Sequence, residues 1–325
     1  MKLQSLALIV LAIALFPALA CAANCGDSVS GNVTLNNDLN CSGPGLIVVG
    51  DHTTINLNGF TISCTGIGFA SSCQQSPGPV GILSTGFEDV SVVGPGTITG
   101  FHVGVRLFGP AKLRVEGVTV TGPAAPDIQT NDRELAVGVL IGQANCAASP
   151  GNSPSAVVSN NDISNHTQGV QLSSASCVKV MSNTIHDNNG TSDAHGIDVI
   201  NSANNTIQSN TLYANGANNP LGNPDSGITL VLAGSTGNVV KNNTVLNNCG
   251  NGIVAFNGAD NNTIESNTVR FNATSLTPQC RPVPAVSPFF DLASFSAGAG
   301  NTWNANNKCQ TQSAGIPAGV CNPGE

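Results

Sequence analysis

A glycine followed by isoleucine or valine recurs along this chain at Gly81, Gly104, Gly138, Gly169, Gly196, Gly227 and Gly252, in steps of 23, 34, 31, 27, 31 and 25 residues. A second ladder runs with it: "SNTI" from Ser182, "SNTL" from Ser209, "NNTV" from Asn242, "SNTV" from Ser266 and a degenerate "NNDI" from Asn160. Self-similarity at this period marks a solenoid, in which no unit buries its apolar face alone. Within the unit 196–226, residues 197–200, 205–208 and 211–214 form three short alternating runs, each strand-like. The two connections inside the unit are short and constant. The stretch from the third run to the next glycine varies, which predicts that insertions are confined to one corner. Three strands per turn without helical periodicity predict an all-β parallel β-helix of about eight turns over residues 32–272. Ile197, Val199, Ile207 and Leu212 should point inward, and Asp198, Thr206 and Gln208 outward. Asn183, Asn210, Asn243 and Asn267 then fall at one bend, where side-chain amides can bond backbone and each other as a ladder. The sequons at Asn204 and Asn242 follow from the same "NNT" bend.

A composition with 37 glycines and only 9% charged residues suits short strands and tight turns. The net charge of −8, without a basic tract, argues against a nucleic-acid partner. Residues 1–22 have the form of a signal peptide: a lysine at position 2, an apolar run and a small-residue end. That run is too short to span a membrane comfortably. "ALAC" also resembles a lipobox, which would make Cys21 a lipid anchor. The remaining cysteines, Cys25, Cys41, Cys64, Cys73, Cys146, Cys177, Cys249, Cys280, Cys309 and Cys321, are even in number, and in an exported chain they read as disulfides. Spacing does not fix their connectivity; pairing neighbours gives 25–41, 64–73, 146–177, 249–280 and 309–321. The expected organisation is a β-helix domain with its N-terminal cap over 23–276 and a Pro- and Cys-containing C-terminal cap over 277–325, in a secreted, periplasmic or cell-surface protein.

"TINLNGFTI", "GIDVINSANNTIQSNTLYANG" and "GIVAFNGADNNTIESNTVRFN" resemble the right-handed parallel β-helix repeat superfamily over most of the chain. The resemblance implies the right-handed fold. It covers pectate lyases, polygalacturonases, alginate lyases, mannuronan epimerases and periplasmic accessory proteins of copper-enzyme maturation, so it does not select a function. Copper ligation has no support, since the methionines are Met1 and Met181. Of the polygalacturonase motifs, only His195-Gly196 is present. Asp193-Ala194-His195 resembles the Asp-Pro-His of mannuronan epimerases, with alanine for proline. The likeness implies His195 as the base at the sugar C5 and Tyr213 as the proton donor, with Asp193 and Asp198 beside them.

These residues lie in or next to "HDNNGTSDAHGIDV", residues 186–199, which packs two histidines and three aspartates into fourteen positions of a chain with 9% charged residues. Gly196-Ile197 is the repeat's own punctuation, whereas aligned turns carry fewer ionisable groups at the other positions. Asp187, Asp193 and Asp198 could alternatively offer oxygens to calcium. Arg106, Gln171 and Thr229 share the outward column of Asp198, and with His186 they are candidate sugar-binding residues. Two functions therefore stand. One is an extracellular or cell-surface scaffold that binds a polysaccharide or cell-surface glycan on its strand face and corner loops. The other is a polysaccharide lyase, C5-epimerase or glycoside hydrolase using the Asp187–Asp198 loop.

Overall fold

The computed structural model describes residues 23–65, 73, 78–123, 136–149, 151, 153–189, 194–216, 226–272, 289–295 and 297–321. Three parallel sheets of ten strands each run the length of the molecule, and successive strands visit them in strict rotation. The strands His195–Ile200, Thr206–Gln208 and Thr211–Tyr213 make one rung, one strand in each sheet. Ile197 pairs with Val170 in the rung before and Ile228 in the rung after. The rungs number ten because Ser28–Val29 opens the first sheet and Leu292–Phe295, Thr302–Trp303 and Lys308–Cys309 close the stack. Neither end carries both repeat signatures, so counting those signatures falls short.

The core follows from the alternation. Ile55, Val92, Val115, Val158, Val180, Ile207, Val240 and Ile264 stack rung on rung down the second sheet, all fully buried. Each such side chain contributes about 1.5–3 kcal/mol before entropy is charged against it. The glycine opening each first-sheet strand is a matter of space. A Cβ on Gly196 would lie 2.7 Å from the Gly227 carbonyl oxygen and 2.7 Å from Leu212 Cδ2. The first sheet therefore closes on the third only where a hydrogen stands for a side chain.

The expected asparagine ladder is present, extended to Asn161, Asn183, Asn210, Asn243, Asn267 and Asn307, each amide bonding backbone and, as far as Asn267, the next asparagine. A residue with left-handed φ precedes the middle members: Ser182, Ser209, Asn242 and Ser266. Two more ladders occupy the other corners, Asn205–Asn238–Asn262–Asn301 and Asn188–Asn215–Asn248–Asn272. The last ends on Asp291, whose carboxylate accepts from Asn272 and from the backbone of Gln310 and Thr311. It begins below His166. Thr121 pairs with Ser164, which brings Pro123 level with His166, and proline has no N–H for an asparagine there to accept.

Disulfides Cys25–Cys41, Cys64–Cys73, Cys146–Cys177 and Cys309–Cys321 join neighbours in sequence, and the first and last staple the two ends. Cys280, Cys21 and the signal segment lie outside the described residues. One expectation needs correction, because insertions are not confined to the corner before the first sheet. Residues 143–155, between the strands Val137–Gly142 and Ala156–Ser159, enlarge the first-to-second corner and include a 3₁₀ turn, Cys146–Ala148. The Cys146–Cys177 bridge ties this insertion to the next rung.

Candidate functional site

The outward column of the first sheet is as the repeat places it: Arg106, Leu140, Gln171, Asp198 and Thr229 pair in succession. Beside it, Gln168, His195, Ser226 and Asn251 form a second column. Gln168 Nε2 donates to Asp198 Oδ2 at 3.0 Å. His195 Nδ1 lies 3.1 Å from Ser226 Oγ and 3.0 Å from Thr229 Oγ1, and the two hydroxyls also bond each other. Although these side chains point away from the helix interior, they are buried, Asp198 at 3% and His195 at 5% exposure. Desolvation pulls the His195 pKa down to about 3, so the ring is neutral at ordinary pH. Arg106 stands three rungs before Asp198, roughly 14 Å at sheet spacing, with its guanidinium carbon 4.5 Å over the Phe108 ring.

The structure does not join Tyr213 to His195. It places Tyr213 on the outward side of the third sheet, opposite His186 of the preceding rung. The two rings stack with centroids 4.9 Å apart and planes at 6°. His186 is held at both nitrogens, Nδ1 by Asp187 Oδ2 at 2.7 Å and Nε2 by Asp162 Oδ1 at 2.9 Å. Tyr213 remains 37% exposed. Burial, then the Asp187 and Asp162 charges, raise its pKa, which makes the phenol a weaker acid than usual. The arrangement is a stacked aromatic pair beside two carboxylates, fixed on a sheet.

Asp193 lies outside the described residues. Asp187 follows directly on the third-sheet strand Thr184–His186 and Asp198 sits within a first-sheet one, so the calcium candidates are divided between two sheets. Among the described residues no three His, Cys, Asp or Glu side chains converge in a way that could hold a metal ion. Nor is any helix among them long and apolar enough to cross a membrane. Sequence reasoning missed Asp162, Gln168 and Ser226. For Asp162 the signal was available, as the one aspartate where other copies of the motif carry threonine.

Residues 97–269, more than half of the 325-residue chain, match the family described as the right-handed β-helix region. No curated protein matches the sequence. Among solved structures, the Dettilon tailspike protein (gp208) superposes with a TM-score of 0.52 at 16% identity, covering 88% of this chain and 60% of that one. The chain thus spans under two thirds of the tailspike's length. A double mutant of the periplasmic alginate epimerase AlgG also gives 0.52, at 13% identity, with 88% of this chain and 70% of the other covered. At these identities the likeness is one of fold.

Proposed function

The chain belongs to the right-handed β-helix family, and on that premise we propose that it is an exported glycan-binding protein whose binding face is the outward side of the third sheet around Tyr213 and His186. The parallel Tyr213–His186 stack, with Tyr213 exposed and His186 partly buried, is the observation that carries this reading. The C–H face of a pyranose packs on such a ring, while Asp162 and Asp187 can accept from sugar hydroxyls. Rimming carboxylates favour neutral, hydroxyl-rich sugars over polyanions. The four described disulfides fit an oxidising compartment. The name of one similar fold, a periplasmic alginate epimerase, accords with work at a glycan. Affinity electrophoresis against neutral and uronate polysaccharides tests the reading. Tyr213→Ala should weaken the best binding about tenfold with the fold intact; equal mobility of variant and parent would overturn it.

The buried polar cluster on the first sheet supports a second reading, a lyase, epimerase or hydrolase using His195 and Asp198, with Arg106 reaching a neighbouring sugar unit. Unsaturated product or new reducing ends, abolished by His195→Ala, would favour it over binding alone. Absence of turnover on every substrate tried, with Tyr213-dependent binding, would favour the first.

A further inference from the structure

The enlarged first-to-second corner does more than interrupt the repeat. With the two following rungs, Cys146, Ser149, Gly151, Ser153 and Pro154 of this corner bound a cavity of about 470 Å³ that Lys179, Asn204, Thr206 and the Cys146–Cys177 bridge also line. That volume lies in the range of small-molecule sites, about 300–1,000 Å³. In a chain with 18 acidic residues against 10 basic ones, the lining holds an ammonium, an amide and hydroxyls but no carboxylate. Lys179 is exposed and makes no ion pair among the described residues. Ser149 is 9% exposed, and its Oγ has no hydrogen-bond partner among the described residues. Leaving a buried hydroxyl bare costs free energy, and a χ1 rotation toward the cavity would give this one a ligand partner.

We propose that this corner pocket binds a hydroxylated carboxylate the size of one uronic acid residue. Lys179 pairs with the carboxylate. Ser149, Ser153, Thr206 and the Asn204 amide exchange hydrogen bonds with the ligand's hydroxyls. These groups both donate and accept, which suits a polyol; sulfate would accept only. The pocket lies at the corner between the first and second sheets, so the inference does not depend on the third-sheet glycan site.

Calorimetric titration of the mature full-length chain with D-glucuronate, D-glucose and sulfate tests it, using the parent, Lys179→Met and Tyr213→Ala. Lys179 is an exposed strand residue whose replacement leaves the core untouched, and circular dichroism checks that. Glucuronate should bind parent and Tyr213→Ala alike, and about two- to fivefold more weakly to Lys179→Met, the scale of one exposed charge pair. Glucose and sulfate should both bind more weakly than glucuronate. Glucuronate no tighter than glucose, sulfate as tight as glucuronate, or unchanged binding to Lys179→Met would each overturn the proposal.

Discussion

Replacing Asn210 by alanine should be among the costliest single changes to this protein, although the residue is polar and sits at a bend. Asn210 is 1% exposed, with an asparagine above and below it in the ladder. Its Oδ1 accepts from the backbone N–H and the Nδ2 of Asn183, each at 3.0 Å; its Nδ2 donates to the Val180 carbonyl and to Asn243 Oδ1, each at 3.0 Å. Alanine removes all of these. Asn183 Nδ2 keeps the Val158 carbonyl, and Asn243 Oδ1 keeps the Asn210 backbone N–H, so those two groups are only half stripped. The Asn183 N–H, in contrast, is left buried and bare. One such group costs about 1–3 kcal/mol, and the weakened partners and small void bring the expected loss to about 3–5 kcal/mol. That is a large fraction of the about 5–15 kcal/mol that usually separates folded from unfolded chains. Urea unfolding followed by circular dichroism and by the single tryptophan, Trp303, measures it. Asn301→Ala is the control, because Asn301 is the last member of its ladder and partly exposed, so water can replace what is lost. A cost for Asn210→Ala below about 1 kcal/mol, or no greater than that for Asn301→Ala, would refute the reasoning.

Three further outcomes are expected. His166 and His195 are held by burial near pKa 3, below their ordinary 6.5, so the unfolded chain binds their protons first as pH falls. Stability should be full above about pH 6.5 and fall toward pH 3 by about 1.4 kcal/mol per pH unit for each histidine; urea midpoints that fall no less steeply in a His166→Asn/His195→Asn variant would contradict this. Gly196→Ala drives a Cβ against a backbone carbonyl and Leu212, and should cost at least about 2 kcal/mol in the same urea assay. Removing the Cys146–Cys177 bridge, which closes a separation of 31 residues, should cost about 3–4 kcal/mol on the loop-entropy estimate, read as a lower thermal midpoint in Cys146→Ser/Cys177→Ser.

The architecture was legible because a solenoid repeats its own reasons. Glycine recurs where the first sheet meets the third, and asparagine where a chain reversal leaves amides to satisfy, so one unit read correctly gives its neighbours. Legibility ended where the reasons changed. The opening and closing rungs lack the full signature, since an end stacks on one side only and Asp291, Trp303 and a disulfide take over there. The other two asparagine ladders were harder to see because the left-handed residue before each ladder asparagine varies: it is another asparagine at Asn204, Asn247 and Asn261, but Asp187, Ala214, Phe271, Gly237 and Gly300 elsewhere. Asn204 and Asn205 show the division: φ is 56° at Asn204, and the buried ladder amide belongs to Asn205.

The candidate site was legible as a set of columns and illegible as a set of environments. "NTIH" and "NTLY" place His186 and Tyr213 at equivalent positions of successive units, so their stacking followed from the alignment, whereas a pairing of Tyr213 with His195 crossed from one sheet to another. Alternation correctly sent Asp198 outward but could not reveal that the outward side of the first sheet is buried there. That burial bears on the two functions in chemical terms. Drawing a proton from a sugar carbon asks for a strong base, and an imidazole held near 3 by desolvation is a weak one. Catalysis at His195 therefore requires this face to open and water or substrate to restore the ring toward its ordinary 6.5, while binding at Tyr213 needs no rearrangement. Nitrogen-15 spectra of His195 and His186 separate the cases: a His195 ring whose titration stays low with every glycan added leaves the third sheet as the working face, and one that moves up by a unit or more when substrate is present returns the chemistry to the first.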